Sequence, residues 1–159
     1  MVVDGVLISL KQELQDLLDR ARYLLRRTYP LVQEEKLFLD ILRILLEFYE
    51  RYEVFLFAIL QQQGIVGKDQ VQGSVGLRWT LLAKESQLQE LLGGNFHLTT
   101  LVSQKSRLQE LLCAQKEGPA DFARKKEYVI CEKNYKVQVI SEFSALEMLR
   151  IAEEFGRFL

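Results

Sequence analysis

The chain has 159 residues, 48% hydrophobic and 27% charged, with a formal net charge of −1. That length suits one domain around one core, and the balance excludes a disordered chain. A charge so close to zero leaves no global field that favours nucleic acid or an acidic partner.

The first predicted helix runs from about Asp4 to Tyr29. Leu7, Leu10, Leu14, Leu17, Ala21 and Leu24 recur at alternating three- and four-residue spacing, a heptad-like seam that packs at a shallow crossing angle. Leu18 and Leu25 widen the seam to the stripe of a bundle helix. Pro30 should end or redirect this helix. The second helix extends from about Val32 to Gln63, roughly 48 Å at the usual rise per residue. Phe38, Leu39, Ile41, Leu42, Leu45, Leu46, Phe48, Tyr49, Tyr52, Phe55, Leu56, Ile59 and Leu60 cover more than one of its faces. A helix of that kind is either central or binds another chain with its second face. Gly64 fits the residue just past the helix end.

Residues 64–76 contain four glycines in thirteen and read as a flexible connector. A third helix over Val75 to Leu92 and a fourth over His97 to Lys116 follow. The short Gly93-Gly94-Asn95 link makes them an antiparallel pair. Ser86–Leu92 and Ser106–Leu112 match at six of seven positions, a single echo and not a repeat array. After Gly118-Pro119, the segments 127–132 and 135–140 are rich in β-formers, and Lys133-Asn134 fits a tight hairpin turn between them. Ser144-x-x-Glu147 has the spacing of a capping box for a last helix. Leu146, Leu149, Ile151, Ala152, Phe155 and Phe158 give that helix its apolar side.

The expected fold is therefore mainly α: an antiparallel bundle of four long helices plus a short β-hairpin and a C-terminal helix. It forms a single domain over residues 1–159. The helical core covers about 4–116, the connector about 64–76, and the hairpin with the last helix about 119–159.

Leu-x-x-Leu-Leu occurs four times, beginning at Leu14, Leu42, Leu88 and Leu108. The pattern also docks nuclear-receptor coactivators, but i, i+3 and i+4 leucines are what inward-facing bundle helices require. Glu34, Glu35, Asp40, Glu47, Glu50 and Glu53 lie on or just before the second helix. A di-iron bundle needs Glu-x-x-His on two helices, whereas the chain has one histidine, His97, with Gly94 three residues before it. Arg43 and Arg51, four residues either side of Glu47, make an ion-paired solvated face the better reading. No serine, cysteine or aspartate partner for His97 can be assigned from the sequence. Gly64-Ile65-Val66-Gly67 and Gly73-Ser74-Val75-Gly76 match the Gly-x-x-Gly of KH domains without the right flanking elements. Gly67-Lys68 lacks the spacing of a P-loop. Cys113 and Cys131 read as two reduced thiols. The chain shows no signal peptide, and the seven-residue apolar run Val54–Leu60 is too short to span a bilayer. No cofactor or metal is expected, and the expected location is cytoplasmic.

The long antiparallel helices and the closing Ala152-Glu153-Glu154-Phe155-Gly156-Arg157-Phe158 resemble HEPN domains. These are small helical bundles of bacteria and archaea, many of them RNases or partners of nucleotidyltransferases. RNase members carry Arg-x4–6-His. Leu92, Leu91 and Glu90 stand five to seven residues before His97, so no catalytic residue carries over. The resemblance implies a non-catalytic member that retains dimerisation or RNA contact.

The functional expectation is a non-enzymatic interaction protein that self-associates or binds a protein partner. Its first candidate contact is the second face of the long helix, through Tyr52, Phe55, Phe57 and Ile59. The hairpin edge is the second. The alternative is RNA or other polyanion binding through Arg20, Arg22, Arg26 and Arg27, with Tyr23 and Tyr29 interleaved, and through Arg124, Lys125 and Lys126. A third reading is an enzyme with a dispersed site, such as an RNase, which would need a pocket gathering His97, a buried carboxylate and an arginine.

Overall fold

A computed structural model describes residues 2–67 and 73–159. The chain is mainly helical with a small antiparallel sheet. In order it forms α1 (Val2–Tyr23), a π-helical turn (Leu24–Thr28), α2 (Tyr29–Val32), α3 (Leu37–Gln62), α4 (Gly73–Ala83), α5 (Glu85–Leu92) and α6 (Leu98–Glu117). Strands β1 (Ala120–Arg124), β2 (Glu127–Cys131) and β3 (Val137–Ser141) and helix α7 (Glu142–Gly156) complete it.

Helix α3 is the centre. Fifteen of its 26 residues are buried, too many for one stripe, so it is covered from several sides. α1, α4, α6 and α7 all pack on it. The Tyr29 and Phe38 rings meet at 4.7 Å where the chain turns back, and Arg51 of α3 reaches Glu13 of α1 at 3.7 Å. α1 and α3 are therefore antiparallel. α7 runs antiparallel to α1 and closes on Tyr49 and Tyr52 of α3 with Phe155. The four leucine motifs point mainly inward: Leu14, Leu17, Leu18, Leu42, Leu45, Leu88, Leu108 and Leu111 are buried, and Leu91 is exposed.

Several local expectations are corrected. Pro30 does not end the first helical stretch. A straight α-helix would drive its ring into the carbonyl of residue 26. The π turn before it relieves that crowding, with the Tyr29 N–H bonding to Leu24 O, and the chain stays helical to Val32. Gln33 then adopts a left-handed φ of 49° and ends it. The long helix consequently begins at Leu37 and not near Val32. Gly64 does follow its end, with φ 71°. The part of the 64–76 connector at 68–72 lies outside the described residues, while Gly73 onward is already helical.

The third helix is not continuous. It breaks at Lys84, whose φ and ψ of −111° and 19° leave the helical region. The expected third helix is thus two short ones, α4 and α5, and the long helices are α1, α3 and α6. Nor do the third and fourth run as a close pair; α4 and α6 each pack on α3. The capping box is also displaced by three residues. Ser141 is the cap: its hydroxyl accepts from Ser144 N–H, and Ser144 returns the bond to the Ser141 N–H. On the solvated face of α3, Arg43 pairs with Asp40 and Arg51 with Glu13, not with Glu47.

The hairpin is two strands of a three-stranded sheet in the order β1-β2-β3. Ala120–Arg124, for which the sequence predicts no strand, pairs with β2. The positive φ values fall at Lys126 (62°) and Tyr135 (65°), not at Asn134. Tyr128, Ile130 and Ile140 on the inner face join the helical core. Gly118, between α6 and β1, lets the strand backbone approach the helix end. A Cβ there would overlap the Cys131 carbonyl oxygen and stand 2.6 Å from that of Ala114. Neither is a flexible side-chain tip, so the backbone would have to shift. Gly118→Ala should therefore lower stability by about 1–3 kcal/mol, read as a lower urea midpoint with an unchanged slope.

Candidate functional site

The side chains expected to form a contact face on the long helix lie elsewhere than on the surface. Tyr52, Phe55 and Phe57 are buried and Ile59 is half-buried. Tyr52 and Phe55 stack in an aromatic cluster with Phe96 and Phe155, and the Tyr52 O–H donates to the Phe155 carbonyl at 2.9 Å. The second face of this helix is spent on α6 and α7. Burial raises the pKa of both Tyr49 and Tyr52. The Tyr49 hydroxyl has no hydrogen-bond partner among the described residues.

The exposed apolar surface is on the sheet. The register aligns Phe122 of β1, Val129 of β2 and Val139 of β3 in one row across the strands. Side chains alternate faces along a strand, so this row is opposite to Tyr128, Ile130 and Ile140. Val129 is only 2% exposed, yet it is not part of the helical core; Phe122 (49%) and Val139 (39%) flank it from either side. Val137 stands on the same face and is exposed. Phe143, at the start of α7 just past β3, is 77% exposed, and Leu146 follows it on the same helix face. β1 and β3 are both open edges. Sequence reasoning missed Phe122 because Lys125-Lys126 lacks the Asn-Gly or Asp-Gly that marks a two-residue hairpin turn. The alternation of Phe122 with small and charged neighbours was the available signal.

The two basic clusters come to the same end of the molecule. Glu35, in the turn before α3, accepts a hydrogen bond from the Lys126 backbone N–H at 3.0 Å, and Lys126 O accepts from Glu142 N–H. The clusters are partly neutralised. Glu153 of α7 binds both Arg22 (3.1 Å) and Arg26 (2.7 Å), and Arg22 also pairs with Asp19. Arg124 pairs with Glu127. Arg20, Arg27, Lys125 and Lys126 are exposed and make no side-chain ion pair among the described residues.

One charged pair is internal. Lys105 Nζ of α6 lies 3.1 Å from Glu53 Oε2 of α3, and both side chains are almost wholly buried. The other Glu53 oxygen, Oε1, has no partner among the described residues. A slip of α6 along α3 by one turn would leave both charges buried and unpaired.

The single histidine lies at the start of α6, exposed, beside a crevice of about 70 Å³ lined by Thr100, Glu154, Phe155 and Phe158. Glu154 is half-exposed and held by Arg150, so no buried carboxylate meets His97 there. A crevice of this size is several-fold smaller than an ordinary ligand pocket. The Cys113 thiol is pushed above its ordinary pKa, chiefly by the nearby Glu117 charge, which opposes thiolate formation. Cys113 and Cys131 are both free. Among the described residues no group of three or more His, Cys, Asp or Glu gathers to hold a metal, and no helix is long and apolar enough to cross a membrane.

No family model, curated protein or solved structure matches the chain.

Two outcomes follow. Lys105→Met strands a buried carboxylate and should cost about 3–5 kcal/mol, whereas Lys105→Met with Glu53→Leu should return close to the parent stability. Equal losses in the single and double variants, by urea denaturation, would show that the cost is packing and not charge. Tyr128 has its pKa pushed up to about 12 by burial and by donating its O–H to Asp121. The neutral phenol favours the fold, so this contribution is complete below the ordinary value of 10 and fades as the pH climbs towards about 12. A Tyr128→Phe variant should lack that part of the alkaline decline in urea midpoint.

Proposed function

We propose that this chain is a non-enzymatic interaction protein, one that binds a protein partner or a second copy of itself through the outer face of its sheet. The observation that carries the reading is the row Phe122–Val129–Val139. It is apolar, with Phe122 and Val139 exposed on either side of the buried Val129, and it is bounded by two open strand edges. Contiguous apolar surface of this kind costs free energy in water and is relieved by a partner. The inner face of the sheet already meets the helices, so the outer face is not needed for folding. On this reading the helices are a distorted antiparallel bundle of α1, α3, α6 and α7 that carries the sheet, and the protein works in the cytoplasm, which suits its free thiols.

The alternative is an HEPN-like, non-catalytic RNA-binding role. Arg20, Arg27, Lys125 and Lys126 favour it, since they stay unneutralised at one end of the molecule. Glu153, Glu35 and Glu142 among them weaken it.

The test is sedimentation of the 18.6 kDa chain, together with affinity capture from its host, for the parent and for Phe122→Asp. The parent should sediment above its monomer mass or retain a protein, and Phe122→Asp should lose that association while keeping its circular dichroism. A parent that is monomeric and captures nothing sinks the reading. Capture of RNA that weakens steeply with salt, and that Phe122→Asp leaves intact, would replace it with the alternative.

A further inference from the structure

We infer that Tyr135, at the tip of the β2–β3 hairpin, is the anchor of the contact, and that it enters an acid-rimmed pocket on a different protein. The inference rests on the interaction reading above and names its central side chain and the chemistry of the partner.

The turn decides the conformation of this residue. Tyr135 N–H donates to Glu132 O, Glu132 N–H to Lys136 O, and Lys136 N–H to the Asn134 side chain at 3.1 Å. Two residues, Tyr135 and Lys136, thus oppose Glu132. That is a bulge whose first residue takes the left-handed conformation, and Tyr135 has φ 65°. Glycine is the ordinary occupant, because a Cβ is crowded there. Three non-glycine residues have a positive φ among the described residues, and the fold accounts for two of them. Gln33 ends α2 with its N–H on Tyr29 O. Lys126 is clasped by Glu35 and Glu142. Tyr135 has no such clasp among the described residues; its backbone N–H bonds within its own turn. Its ring is 94% exposed, stacks on no other ring, and its hydroxyl has no hydrogen bond among the described residues. Packing therefore returns nothing for the strain. A side chain held against the preference of its backbone and presented to solvent gains its free energy from another molecule.

The neighbours of Tyr135 define that molecule. Tyrosine is enriched among the side chains that dominate protein contacts: its large ring fills a pocket and its hydroxyl finds an acceptor. Val137, two residues on, is exposed on the outer face and joins the tip to Val139 and Phe122. A nucleic-acid base stacked on the ring would leave these three in water, whereas a protein surface covers them with it. Lys133 and Lys136 flank the ring, are exposed, and make no ion pair among the described residues. One acid of the turn, Glu132, stands against the two. A pocket that takes the ring meets an ammonium group on either side, and carboxylates at its rim complement them. Two copies meeting tip to tip would instead crowd four lysines together.

The test uses the immobilised full chain and nuclease-treated extract of its own host, with Tyr135→p-benzoylphenylalanine as the photo-crosslinking probe. Illumination should join the probe to a different protein, through a peptide that carries aspartate or glutamate, and excess parent chain should compete. Tyr135→Gly should raise the urea midpoint at an unchanged slope, because the strain is gone. The same variant should cut retention of that protein by about thirtyfold or more. Lys136→Glu should weaken retention, and added salt should weaken that of the parent. A Tyr135→Gly variant no more stable than the parent would show that the fold repays the tyrosine, and overturns the inference. Retention that survives Tyr135→Gly but is lost in Phe122→Asp also overturns it and leaves the interaction reading standing, as does a crosslink to a second copy. Retention of RNA alone, seen only before nuclease treatment, overturns both, and so does a monomeric chain that retains nothing.

Discussion

The rest of the structure depends on one constraint: α3 is apolar around all but one charged stripe, and everything outside that stripe must be covered. Fifteen of its residues are buried, among them Phe38, Phe48, Tyr49, Tyr52 and Phe55. Each fully buried side chain of this kind contributes about 1.5–3 kcal/mol relative to exposure. No arrangement that left one of its apolar faces in water could compete. α1 and α7 cover one flank, α6 another, and α4 a third. The buried Lys105–Glu53 pair sits within this shell, where a one-turn slip of α6 would leave both charges unpaired.

The sheet is positioned by the same demand. Helices alone leave the region beside α6 and α7 incompletely covered, and Tyr128, Ile130 and Ile140 supply the missing apolar atoms. Gly118 makes the approach between α6 and β2 close enough for that contact. Because strands alternate their side chains, a sheet that gives one face to the core presents the other to solvent. A polar outer face would have ended the matter. This one has Phe122, Val137 and Val139 on it, and the surplus apolar surface expected on the long helix lies there instead.

Legibility followed the range of the interactions involved. The seam from Leu7 to Ala21 and the stripe from Phe38 to Leu60 were readable because helical periodicity is local. So was the β character of 127–132 and 135–140. Pro30 misled because its effect depends on whether the preceding turn can widen, and Leu24–Thr28 did widen. Lys84 broke a helix with no proline or glycine beside it. Ala120–Arg124 was missed because its strand character comes from pairing with β2, not from its own composition. Tyr52, Phe55 and Phe57 were read as a contact face for a related reason: a sequence shows that a face is apolar, but not which neighbour already occupies it.

By itself the sequence determined that the chain is mainly helical, that α3 is its most apolar element and that a β segment precedes the last helix. These rest on periodicity and propensity, which act within a few residues. Only the tertiary structure decided that the apolar faces of α3 are already covered, that Glu153 draws Arg22 and Arg26 together, and that Phe122, Val129 and Val139 form one row. Each of those joins residues far apart in the chain. Which partner a side chain meets is set by the competition among all the apolar surfaces for burial, and that competition has no expression in local spacing.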